Sequence, residues 1–121
     1  MAIKPTNFPN GVNAPLVATT ATATATAGAA TLNAKSGKVT SEALTTAQNA
    51  IYTLTITNSE VKATDIAFAS VANGTNTQGT PMIVRVTPGS GSLVVQVANK
   101  HATAEALNGT IVVSFMVITT V

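Results

Sequence analysis

The chain has 121 residues and no cysteine, which suits a single domain and excludes disulfides, thiolate metal sites and cysteine nucleophiles. Only 8% of the residues are charged, far fewer than in ordinary soluble domains, so we expect other subunits to cover much of the surface. The net charge of +2 comes from scattered cations with few aromatic residues, and the apolar runs are short; these features argue against nucleic acid and membrane as partners.

Residues 1–15 differ in composition from the rest of the chain. Three prolines interrupt this stretch, and it lacks the unbroken apolar run of a signal peptide. In the segment FPNG, Phe8 stands directly before a sharp turn, and an aromatic side chain held at a corner can anchor an interface. We therefore expect an extended arm over residues 1–15 and a single β-sandwich domain over residues 16–121. The residues expected to contact a partner are Ile3, Phe8, Pro9, Val12 and Leu16.

Residues 18–30 read ATTATATATAGAA. In a strand, this alternation places alanines on one face and threonines on the other. A strand over residues 14–26 would either accept another surface against these small side chains or form an ordinary edge strand, and the sequence leaves both open. The following segments, residues 29–33 and 38–42, are predicted to form a hairpin in whose loop Gly37 adopts a positive φ.

The middle of the chain predicts two strands with loops beside them. Apolar residues alternate with threonines over residues 49–57, and a second strand is predicted over residues 63–71. Residues 41–50 are expected to form a loop or a single helical turn, and residues 72–81 a polar loop. The residues that share a face are Tyr52, Leu54 and Ile56 in the first strand, and Ile66 and Phe68 in the second.

The clearest hairpin joins residues 82–87 to residues 92–98 through the turn PGSG. Strict alternation would place one apolar set on a single face: Met82, Val84, Val86, Leu93, Val95 and Val97. The last strand, in TIVVSFMVITTV, is apolar on both faces, so we expect it to be central or to meet another subunit. The residues assigned to this subunit interface are Val112, Met116 and Ile118.

These segments together predict an all-β fold. About eight strands separated by regular turn signals are typical of an antiparallel β-sandwich, of jelly-roll or Greek-key type. Apolar residues recur with the period of a strand rather than that of a helix, which argues against a helical domain. The spacing of the strands alone does not decide the topology.

Few residues are available for chemistry. The chain has four carboxylates and one histidine, and no two carboxylates lie close together on one strand face, as an acid–base pair requires. The dispersed acids and the lone histidine also lack the clustering of a metal site. We therefore expect no enzymatic activity, no metal and no cofactor. An enzyme would require Glu105, Asp65 or His101 to converge in a pocket.

Three stretches carry a resemblance to a known family: MAIKPTNFPNG at the start, VTPGSGSLVVQVAN in the hairpin and ALNGTIVVSFMV at the last strand. Together they resemble the small head decoration, or cement, proteins of tailed bacteriophages. The resemblance implies a β-sandwich, often trimeric, that sits on the capsid exterior and bridges major capsid subunits without enzymatic activity. Such a protein would be made in the cytoplasm of the host bacterium and reside on the virion.

A second function stays open. Fibre and tail-knob modules of phages share the same charge-poor texture, rich in Thr, Ala and Val, so a receptor-binding role is the alternative. Such a module is expected to expose aromatic residues in its loops, and residues 72–81 contain none. The favoured prediction is therefore a decoration protein, with major capsid protein and sister subunits, most often in a trimer, as its partners.

Overall fold

The computed structural model describes residues 21–120, which form eight β-strands and no helix. The expected arm, its contact residues and the first part of the strand predicted at residues 14–26 lie outside the described residues. The strands are β1 (Thr22–Thr24), β2 (Ala29–Thr31), β3 (Ser36–Thr40), β4 (Ile51–Thr57), β5 (Ile66–Asn73), β6 (Pro81–Gly89), β7 (Ser92–Asn99) and β8 (Ile111–Ile118). The arm residues that lie outside this part of the chain are Ile3, Phe8, Pro9, Val12 and Leu16.

The strands form two four-stranded sheets, which confirms the predicted sandwich. Sheet A has the order β1-β3-β8-β5, and sheet B has the order β2-β4-β7-β6. Of the six strand pairings, the β1–β3 and β2–β4 pairs are parallel and the other four are antiparallel. Two of the antiparallel pairs join strands that are distant in sequence: β3 pairs with β8, and β4 pairs with β7. The last strand, β8, is an interior strand, as predicted.

The core lies between the sheets and is built by period-2 alternation. In β4, Tyr52, Leu54 and Ile56 are buried while the threonines face outward, as predicted. The strands β7 and β8 place alternate residues in the same core. Their buried apolar side chains are Leu93, Val95 and Val97 from β7, and Ile111, Val113, Phe115 and Val117 from β8.

At one edge of the sandwich the chain crosses from sheet A to sheet B through a tight turn. Ala27 and Gly28 adopt positive φ values of 49° and 74° there. The alanines of this stretch face the core, with Ala25 buried, and the threonines are exposed. Within the described residues, the Ala/Thr stretch is therefore an edge strand of sheet A whose small side chains let the two sheets approach.

The hairpin predicted from residues 29–33 and 38–42 is wrong. The strands β2 and β3 lie in different sheets. β2 is the edge strand of sheet B and pairs parallel with β4, whereas β3 is an interior strand of sheet A between β1 and β8. Gly37 lies inside β3 rather than in a loop. A Cβ atom there would stand 2.7 Å from Leu32 Cδ2 and 2.8 Å from the carbonyl oxygen of Ala21. Close packing, and not a positive φ, thus requires glycine at this position.

The β6–β7 hairpin is confirmed, but the face predicted for β6 is right for Val86 and wrong for Met82 and Val84. A β-bulge between Ile83 and Arg85 inserts Val84 as an extra residue in the ladder. Ile83 and Val86 consequently pack against the core, while Met82 and Val84 are exposed.

The predicted loops occur in slightly altered form. Residues 41–50 are irregular, as predicted, and contain no helical turn. The polar loop after β5 is shorter than predicted, because β5 continues to Asn73 and β6 begins at Pro81. This loop, residues 41–50 and residues 100–110 close one end of the sandwich. The other end is closed by residues 32–35, residues 58–65 and the turn after Gly89.

Candidate interaction surface

The outer face of sheet A carries a cluster of large apolar side chains. Two cross-strand pairs between β5 and β8, Ile66 with Ile118 and Phe68 with Met116, stand next to each other on this face. All four side chains are exposed, and Phe68 retains 55% of its accessible surface. We call these four residues the sheet A patch. Contiguous exposed apolar clusters of this kind mark interaction sites more often than isolated exposed residues do.

The sheet A patch contains a shallow depression. It has a volume of about 260 Å³ and lies between the side chains of Phe68 and Met116. Ser70 and Ser114, which pair across β5 and β8, contribute to its wall. The depression is open to solvent, so it suits an inserted side chain better than an enclosed small molecule.

The large apolar residues of this face alternate in β5 with small residues that face the core. In β5, the large residues Ile66 and Phe68 alternate with Ala67 and Ala69, and the alanines are the ones that face the core. Val71 is the third residue of β5 that packs against the core, while Ile66 and Phe68 point outward. Sequence reasoning placed Ile66 and Phe68 on one face but did not assign them to an interface. The large–small alternation was the signal that could have identified them.

The interface residues predicted in β8 all lie on its outer face. Met116 and Ile118 are exposed and belong to the sheet A patch. Val112 is half-buried and lies two residue pairs away from the patch, between Thr40 of β3 and Ala72 of β5. The structure therefore brings Met116 and Ile118 together with β5 and sets Val112 apart.

A second apolar cluster lies on the outer face of sheet B. Ile51 and Met82 flank Ala98 in one row across β4, β7 and β6. The bulge turns Val84 outward beside this row. We call Ile51, Met82 and Val84 the sheet B patch. Because the outer faces of the two sheets point in opposite directions, the two patches lie on opposite sides of the molecule.

A buried carboxylate fixes the loops at the sheet A patch end. Asp65 Oδ2 accepts the backbone N–H of Lys62 at 2.9 Å and lies 3.7 Å from Lys35 Nζ. Chiefly the hydrogen bond from Lys62, with further help from Thr120 and from the charges of Lys35 and Lys62, holds the pKa of Asp65 below its usual value. The carboxylate thus joins the β2–β3 connection to the start of β5, and it positions Ile66 of the patch.

A polar cluster lies at the opposite end of the sandwich. His101 Nε2 is 3.0 Å from Glu105 Oε2, and His101 Nδ1 is 3.0 Å from Thr80 Oγ1. The order hydroxyl, imidazole, carboxylate is that of a nucleophilic triad. However, the neighbouring backbone N–H groups of Thr80 and His101 both donate to Asn99 Oδ1, so they are not free to stabilise an oxyanion. The arrangement can link the loop before β6 to the loop after β7.

The three titratable residues that an enzyme would need to bring together, Glu105, Asp65 and His101, do not all lie at one place. His101 and Glu105 lie within hydrogen-bonding distance of each other, whereas Asp65 lies at the other end of the sandwich. Among residues 21–120, no group of three or more His, Cys, Asp or Glu side chains could hold a metal ion. The same part of the chain contains no helix long and apolar enough to cross a bilayer.

Comparison of the chain with family models, with curated proteins and with solved structures gives no match.

Proposed function

We propose that this chain is a structural decoration protein, which binds the outer surface of a tailed-phage head and bridges major capsid subunits. The observation that carries the proposal is the pair of exposed apolar patches on opposite faces of one sandwich. A bridging protein needs two separate contact surfaces on a block that does not deform between them. Linking several weak contacts on one particle raises the overall affinity through effective concentration.

The composition of the surface supports the same proposal. With 8% charged residues, the isolated sandwich has little electrostatic repulsion to prevent association, so contact with sister subunits, in a trimer for example, and with capsid protein accounts for its exterior. The predicted arm at residues 1–15 would supply a further contact to capsid protein or to a sister subunit. The alternative receptor-binding role gains no support from the loop of residues 74–80, which contains no aromatic side chain to stack on a sugar.

Binding to purified heads tests the proposal. Heads stripped of their decoration layer are incubated with the protein, and the number of copies retained per head is measured after sedimentation. We expect Met82→Glu to reduce retention at least about tenfold, because a charge inside an apolar contact must be desolvated. The matched control is Ala104→Glu, which adds the same charge to an exposed position of the loop of residues 100–110 that belongs to neither patch. Failure of the unmodified protein to bind any tailed-phage head, or equal retention of the two variants, would refute the proposal.

A further inference from the structure

The sheet A patch lies at the end of the sheet where residues 1–20 join it. The backbone N–H of Lys38 donates to the carbonyl oxygen of Ala21 at 3.0 Å, and β1 runs parallel to β3. Ala21, the first described residue, therefore lies at the Ser36 end of β3. Ser36 pairs with Met116 of the patch. Ala21, the residue at which residues 1–20 join the sandwich, thus lies level with the exposed apolar side chains of sheet A.

The chemistry of residues 1–20 matches that of the patch. This segment contains spaced apolar residues and one charged side chain, Lys4. The outer face of sheet A is equally poor in charge, since Lys38 is the one charged residue in its four described strands. Contact between the two removes apolar surface from water without burying an ion. The apolar residues available for it are Ile3, Phe8, Val12 and Leu16.

The local sequence disfavours a return of this segment onto the patch of its own chain. No glycine, proline or asparagine lies between Leu16 and Ala27, so no reversal is encoded close to β1. The predicted turn FPNG lies farther from β1, and the prolines at positions 5 and 15 favour extended backbone around them. The nine residues between this turn and Ala21 are long enough to span about 30 Å, whereas an eight-residue strand spans about 27 Å. A segment of this length can therefore reach a neighbouring copy.

We infer that residues 1–15 of a second copy of this chain cover the sheet A patch, with Phe8 of that copy seated in the depression between Phe68 and Met116. An aromatic side chain in a pocket is the usual energetic centre of an interface, and the sulfur of Met116 is a favourable neighbour for a ring. The inference rests on the proposed function, because it names a sister subunit as the partner of the sheet A patch. The sheet B patch is left for capsid protein.

Methionine oxidation tests the inference in the purified, full-length protein. Met116 in the sheet A patch is 38% exposed, and Met82 in the sheet B patch is 49% exposed, so the uncovered sandwich would let peroxide reach both at similar rates. We expect Met116 to oxidise about tenfold more slowly than Met82 at high protein concentration. On dilution the two rates should converge, because the cover belongs to another copy. Peptide mapping separates both residues from Met1, the third methionine.

Two substitutions within residues 1–15 make this test specific. Phe8→Asp should abolish the protection of Met116 at high concentration, since it removes the proposed anchor and adds a charge. Asn13→Asp adds the same charge to the segment without removing an apolar side chain, and it should leave the protection unchanged. Neither position contributes to the described core, so loss of folding does not confuse the result.

Each other outcome overturns the inference. Protection of Met116 that persists at every dilution would show a cover from the same chain, and equal oxidation at all concentrations would show no cover. Protection that survives Phe8→Asp would place a different segment on the patch. Because no capsid is present, these failures concern the contact between copies alone, and binding to heads is measured separately.

The absence of cysteine provides an independent check by cross-linking. A chain carrying Asn7→Cys is mixed with a chain carrying Ser70→Cys, whose side chain lies at the depression. Mild oxidation should yield the mixed disulfide dimer. The control partner is Thr53→Cys, which is exposed on the outer face of sheet B and should yield none above the background of random collisions. Equal yields from the two mixtures would contradict the inference.

Discussion

Glu42 connects the edge turn between the sheets to the interior of sheet B. Its carboxylate accepts the backbone N–H of Gly28 at 2.8 Å and the hydroxyl of Tyr52 at 2.9 Å. Burial of Tyr52, the hydrogen bond to Glu42 and the negative charge of that carboxylate, in this order of size, raise the pKa of the Tyr52 hydroxyl above its usual value. A charged acceptor forms stronger hydrogen bonds than a neutral one, so Glu42 fixes the turn as well as the phenol.

The raised pKa of Tyr52 predicts a loss of stability in alkali. The unfolded chain releases the phenol proton near pH 10, while the folded chain holds it to higher pH. This contribution to stability is therefore complete below about pH 10 and is lost as the pH rises further. Tyr52 is the single tyrosine, so phenolate absorbance reports on it directly. We expect phenolate formation and loss of β-sheet circular dichroism to coincide, and Tyr52→Phe to lessen the alkaline decline. Ionisation near pH 10 with the sheets intact would contradict this prediction.

Among the polar residues, Asn99 is the one whose replacement we expect to lower the free energy of unfolding most. Its fully buried amide accepts the backbone N–H of Thr80 and His101, and donates to the carbonyl oxygens of Thr46 and Glu105. Removing the amide leaves four backbone groups without this partner, so we expect Asn99→Ala to lower the free energy of unfolding by about 3 kcal/mol.

Chemical denaturation of the variants measures this effect. The matched control is Gln78→Ala, which truncates an exposed amide at the same end of the sandwich and should change the free energy of unfolding by less than about 0.5 kcal/mol. Similar losses in the two variants would show that the buried amide is not the residue that joins the three loops.

At the scale of elements, local pattern identified those strands whose neighbours are regular. In β4, the alternation of Tyr52, Leu54 and Ile56 with threonines was sufficient to predict both the strand and its buried face. The pairing of β2 was not predictable, because its parallel partner β4 lies some twenty residues away and three residues carry little periodicity. Long-range pairing of short strands depends on tertiary packing rather than on local sequence.

In the candidate site, too, the local sequence predicted some residues and missed others. The doubly apolar sequence of β8 pointed to Met116 and Ile118 on an outer face, where the structure places them. Phe68 was not assigned, because its position beside Met116 follows from the pairing of β5 with β8, which the local sequence does not define. Val84 was placed on the wrong face, because a bulge reverses the parity of every residue on one side of it.

The bulge yields a prediction about deletions. Val84 is the surplus residue of the β6 ladder, so deleting it leaves Ile83 and Val86 directed to the core and Arg85 outward. We expect this deletion to retain the fold, with a change in the free energy of unfolding of about 1 kcal/mol or less. Deleting Val94 from the regular ladder of β7 should abolish cooperative unfolding, because a slip of one residue exchanges the buried and exposed faces. Thermal melts followed by circular dichroism compare the two, and equal damage would show that the register does not depend on the bulge.

At the scale of the whole molecule, the apolar core is buried between the two sheets, while both outer faces remain partly apolar. The six cations and four anions of the chain are too few to set the interactions of this surface. Among residues 21–120, the large exposed apolar side chains belong to the two patches: Ile66, Phe68, Met116 and Ile118 on sheet A, and Ile51, Met82 and Val84 on sheet B. Association of the molecule should therefore follow the thermodynamics of apolar burial rather than those of charge pairing.

This difference predicts how self-association responds to salt. Raising the ionic strength from 0.1 to 1 M shortens the screening length from about 10 Å to about 3 Å, which weakens contacts between exposed charges. Apolar contacts are insensitive to that screening, and sulfate strengthens them. We expect the association constant from sedimentation to change less than about twofold over this range of sodium chloride and to rise in sodium sulfate. Phe68→Glu should lower it at least about tenfold, while Ala104→Glu should leave it nearly unchanged. A steep fall with sodium chloride, or equal effects of the two substitutions, would assign the association to charges and not to the sheet A patch.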